Sequence, residues 1–168
     1  MGIGLEAFTV FHVALSLVGI LAGFVVMYGL LTSQRLEGWT ATFLITTVAT
    51  SVTGFMFPVH HFMPSHAVGI ISLLALGIAI FARYGGHLAG SWRWAYAVTA
   101  MISLYLNVFV LIFQGFLKVP ALNALAPTQT EPPFKVAQGV VLLIFVVLTI
   151  FAAARFRPAH QAAAAPAI

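Results

Sequence analysis

Long apolar runs separated by short polar breaks divide the chain, and each run is near the roughly 20 residues needed to span a bilayer as a helix. They cover residues 7–31, 39–57, 66–84, 92–117 and 134–154. The pattern predicts an all-α, polytopic integral membrane protein: one bundle of five transmembrane helices within residues 1–157, and a disordered alanine-rich tail over 158–168. The first run lacks the basic leader and short core of a secretory signal, so it is expected to be a retained helix. Pro64 and Ser65 make a start for the third, with Ser65 as N-cap. The apolar fragment Val119 to Leu125 is expected to lie along the interface or to cap the bundle end.

Polar positions inside the runs follow helical spacing. Thr42, Thr46, Thr50 and Thr53 share one face of the second run. That face serves either as an interhelical packing surface or, with Asn107, Gln114 and Gln138, as the lining of a polar path. Gly19 and Gly23 form a small-xxx-small pair that admits a close helix neighbour, and Ala75 and Ala79 make a similar face.

Composition agrees with the pattern. The 168 residues are 62% hydrophobic and 6% charged, against about a quarter charged in soluble domains. There is no cysteine, which excludes disulfides, thiolate metal sites and iron–sulfur clusters. The acids are Glu6, Glu37 and Glu131 alone, so paired-carboxylate catalysis and ion-coupled transport have little to work with. The scarcity of acids, bases and nucleophiles weighs against enzymatic turnover and leaves it open. The net charge of +4 reads as topology rather than polyanion binding, and no nucleic-acid motif is present. With five spans, Arg35, Arg83, Arg93, Arg155, Arg157 and all three tryptophans fall on one side, and Lys118 and Lys135 on the other. Basic residues collect on the cytoplasmic side, giving an N-out, C-in protein of the inner (plasma) membrane.

The candidate chemistry lies at the opposite, outer end. The turn from Thr53 to Gly69 carries His60 and His61 between Pro58 and Pro64, and His66 two residues after Pro64. His12, roughly 8 Å into the first helix at 1.5 Å per residue, is expected at the same level. A helix N-terminus disfavours imidazolium, so His66 is expected to be neutral, as a metal ligand must be. Three readings stay open: interfacial histidines without a ligand, a copper or zinc site built from His12, His60, His61 and His66, or haem b held by His12 and His66. The matching functions are a redox or metal-handling component, an accessory subunit of a larger membrane complex or homo-oligomer, and a binder or permease for a small neutral or lipid-soluble ligand.

Overall fold

A computed structural model describes residues 3–57 and 64–158, and within them the chain is helical with no strand. The long helices are α1 (Ile3–Leu31), α2 (Glu37–Gly54), α3 (Pro64–Ile80), α4 (Trp92–Lys118) and α6 (Pro132–Arg155), with a short α5 (Pro120–Leu125) after α4. A π-helical turn, Phe81–Gly85, extends α3. The expected runs are recovered with shifted ends: α1 starts earlier, at Ile3, and α2 stops at Gly54 rather than residue 57. Helix α3 begins at Pro64, so Ser65 is already helical and not the cap. The expected disordered tail falls almost wholly on 159–168, outside the described residues.

Local chemistry sets the ends. Helix α1 closes with a Schellman motif: the Gln34 amide bonds the Gly29 carbonyl at 2.7 Å, the Ser33 amide reaches Leu30, and Ser33 takes the left-handed position at φ 61°. Pro132 and Pro133 open α6, where missing N–H groups cost nothing because they would be orphaned anyway. Before them, Glu131 accepts hydrogen bonds from the Thr128 hydroxyl at 2.8 Å and the Thr130 amide at 3.0 Å. Slight desolvation would raise its carboxyl pKa, but these bonds outweigh it and hold the group below the ordinary carboxylate value. Helix α5 folds back on α4, and its Asn123 amide donates to the Phe116 carbonyl at 3.2 Å, satisfying an end carbonyl of α4. It caps the bundle.

The long helices form a closed ring in the order α1, α2, α3, α4, α6 and back to α1, with α4 also touching α1 across it. The interior is built from small and aromatic residues: Ala22, Ala79, Ala97, Ala100 and Ala152 lie beside Phe43, Tyr96 and Phe145. Gly19 packs against Thr46 and Thr47, and Gly23 against Leu104 and Phe43, so the small-xxx-small pair is a contact surface. Outside, Val10, Leu21, Ile45, Leu74, Leu143 and Ile150 are exposed. A large apolar perimeter around a small-residue core is the arrangement lipid favours. By length and composition α1, α3 with its π-turn, α4 and α6 are able to cross a membrane. Threonine-rich α2 falls short of that standard and buries Thr40, Thr47, Thr50 and Ser51 inside the ring.

Candidate functional site

Side-chain polar groups gather at three levels of the bundle. At the end formed by the α2 C-terminus, His12 Nδ1 is 2.8 Å from the Thr53 hydroxyl, and its ring stands edge-on to Phe57. His66 stacks on Phe55 with ring centroids 5.6 Å apart. Helix α2 lies between α1 and α3, so the end of α2 separates the two imidazoles. Among the described residues no three of histidine, aspartate and glutamate gather as a metal set. His60 and His61 lie outside the described residues. The expected four-histidine cluster is therefore unsupported: the chain gives His12 a hydroxyl partner and His66 an aromatic one.

The middle level is an interhelical seam. Asn107 on α4 donates to the Thr47 hydroxyl at 3.3 Å, and Ser51 on α2 meets Ser72 on α3 at 3.3 Å. Gln138 on α6 donates to the Phe109 carbonyl at 3.0 Å. Thr46 and Thr53 bond back to Thr42 and Ala49 at 2.7 Å, the cheap solution for a hydroxyl in an apolar helix. Thr50 Oγ1, Gln114 Oε1 and Gln138 Oε1 are buried without a protein partner. Of the expected polar lining, Asn107 and Gln138 bond neighbouring helices, Thr53 meets His12 on α1, and Thr46 bonds within its own helix. Asn107→Leu is thus expected to destabilise the fold by about 0.5–2 kcal/mol, read as a lower unfolding temperature in detergent.

The third level is the arginine end, and it holds the densest chemistry. Arg83, inside the π-turn, is only 5% exposed. Its Nη2 donates to the Glu37 carboxylate at 2.6 Å and to the Arg35 carbonyl at 3.0 Å. The guanidinium lies over the Tyr96 ring at 5.2 Å and beside Tyr84 at 5.8 Å, so two aromatic faces help offset burial of the charge. Arg83 Nε and Nη1 and Arg35 Nε are buried with no protein acceptor. Both arginines are among the residues that line a cavity of about 230 Å³, with Glu37, Tyr84, His87 and Leu88.

The backbone around this cavity is unusual. A π-turn inserts an extra residue into the helical repeat, a device frequent at functional sites; here the Gly86 amide bonds Phe81 and the Leu88 amide bonds Ala82. Leu36, His87 and Leu88 all have positive φ, at 40°, 50° and 57°. Such conformations cost non-glycine residues of order 1–3 kcal/mol and cluster at binding sites. Arg83 entered the sequence reading only as a topological marker. Its signal was present: Ser72, Ala75, Leu76 and Ala79 form the buried stripe of α3, and Arg83 is one turn further along.

Other bonds tie the same end together. Arg93 Nη1 reaches the Phe156 carbonyl at 2.5 Å, and the Arg157 amide donates to Ser33 Oγ at 2.7 Å. Comparison with protein families, with curated proteins and with solved structures finds no match.

Proposed function

We propose that the chain is a non-catalytic, ligand-binding protein of the inner membrane, with five spans, its N-terminus outside and its C-terminus in the cytoplasm. In this reading its ligand enters the cavity at the arginine end. One observation carries it: the two arginines that line one cavity keep three buried guanidinium nitrogens without a protein acceptor. A buried unsatisfied donor costs about 1–3 kcal/mol, and more when charged, so an occupant that accepts those bonds recovers the loss. The scarcity of acids, bases and nucleophiles favours binding over turnover.

Native mass spectrometry of gently extracted protein is expected to show a bound non-protein mass. Arg83→Met should lose it, and His12→Ala should keep it. Bare protein, or an adduct that depends on His12, overturns the reading.

The five-span topology is supported by the convergence of Arg35, Arg83, Arg93 and Arg157 on one end through the bonds above. Helix α2, at 18 residues, is about 27 Å long. Its threonines are largely turned inward, which reduces the polar surface it offers to lipid. Because the chain has no cysteine, a single His87→Cys reports one position cleanly. An impermeant maleimide is expected to label it in inside-out vesicles and not in intact cells. Labelling in intact cells overturns the orientation.

A further inference from the structure

We propose that the cavity around Arg83 is a phosphate site whose occupant is the monoanionic phosphodiester headgroup of an acidic membrane lipid. This rests on the binding reading above and adds the chemistry of the ligand.

The donors are of one kind. Arg83 Nε, Arg83 Nη1 and Arg35 Nε all belong to guanidinium groups, which donate hydrogen bonds and accept none. The oxygens of a phosphate accept hydrogen bonds from several guanidinium N–H groups at once, which is why arginine recurs wherever that group is recognised. A neutral ligand would leave the charge of the Arg35 side chain uncompensated.

The charge balance selects the form of phosphate. Arg35 and Arg83 bring two positive charges, and Glu37 removes one by pairing with Arg83 at 2.6 Å. One net positive charge remains beside the cavity, which matches a phosphodiester better than a phosphate dianion. Glu37 further repels a second negative charge, so the site discriminates as well as attracts.

Position selects the source. Trp39, Trp92 and Trp94 are exposed at the same end, and indoles favour the headgroup level of a bilayer. Exposed Tyr84 and His87 form the outer wall of the cavity. A headgroup phosphate at that depth needs no path through the bundle. The cavity of about 230 Å³ has room for more than ordered water.

The test uses the full chain, delipidated in neutral detergent and offered three probes: vesicles of phosphatidylglycerol in phosphatidylcholine, vesicles of phosphatidylcholine alone, and inorganic phosphate. Lipid retained per chain is read by native mass spectrometry, and protection by the unfolding temperature. One phosphatidylglycerol per chain is expected, retained about tenfold better than phosphatidylcholine. Arg35→Gln, at a partly exposed position that should tolerate it, is expected to weaken retention by about tenfold. Glu37→Gln is expected to strengthen it, which a purely structural role for Glu37 would not do. Equal retention of the two lipids, or indifference to Arg35→Gln, overturns the proposal. Protection by inorganic phosphate equal to that by phosphatidylglycerol overturns the lipid source. If the extracted protein keeps its adduct while none of the three probes binds, the phosphate chemistry is wrong and the binding reading survives.

Discussion

Gly23→Val is expected to cost about 1–3 kcal/mol or more through overpacking. A Cβ at this position would sit 2.5 Å from Leu104 Cδ1 and 3.0 Å from Phe43 Cε2. Side-chain tips can usually yield, but Leu104 and Phe43 are among the most deeply buried groups in the chain. Neither has anywhere to go, so α1 must move off α4 and α2. Gly77→Ala and Gly139→Ala supply the contrast, since nothing lies within 4 Å of an added Cβ at either. There the gain in helix propensity, about 0.5–1 kcal/mol, should raise the unfolding temperature slightly. Thermal melts of the three variants in one detergent check the contrast. A Gly23→Val protein that melts with the wild type would disprove the packing of α1.

Glu37→Ala is expected to do more harm than Arg83→Met. Removing the carboxylate strands a cation whose side chain is 3% exposed, whereas removing the cation leaves a carboxylate that is 64% exposed and readily hydrated. Loss of one partner from a fully buried pair costs about 3–5 kcal/mol, and access of water to the Glu37 side lowers this to about 1–3 kcal/mol. Arg83→Met keeps an unbranched side chain against Tyr96 and removes the need for a counter-charge. The double variant should recover most of the loss, because exchanging both partners for uncharged groups is often nearly neutral. Unfolding temperatures of the two single variants and the double decide the order. If Arg83→Met is the worse of the pair, the guanidinium contributes more through its tyrosine contacts than its burial costs.

Much of the architecture was legible because lipid-facing helices must be apolar along most of their length. The runs at 92–117 and 134–154 became α4 and α6 with ends within two residues. The second run was read too far toward its C-terminus because Phe55 and Phe57 are as apolar as the helix before them; Phe55 instead caps α2 and faces His66. The candidate site was harder to see. Histidines stand out in a sequence of this composition, yet His12 and His66 are accounted for by Thr53 and Phe55. Arginines beside a span are expected as topological anchors, so Arg83 drew no notice. Only its place on the Ala75–Ala79 stripe, one turn on, told it apart from Arg93 or Arg155. The left-handed Leu36, His87 and Leu88 are neither glycine nor asparagine, so nothing in the sequence announced their conformation.

The ring closes between its first and last members, α1 and α6, and the residues just after α6 fasten to Ser33 and to Arg93. During synthesis α1 must therefore wait in the bilayer with one flank unclaimed until the final helix emerges. Early helices can pair as they appear, but the finished assembly forms only once translation is nearly complete. Chains stalled before residue 132 should accordingly be the ones a membrane protease clears first.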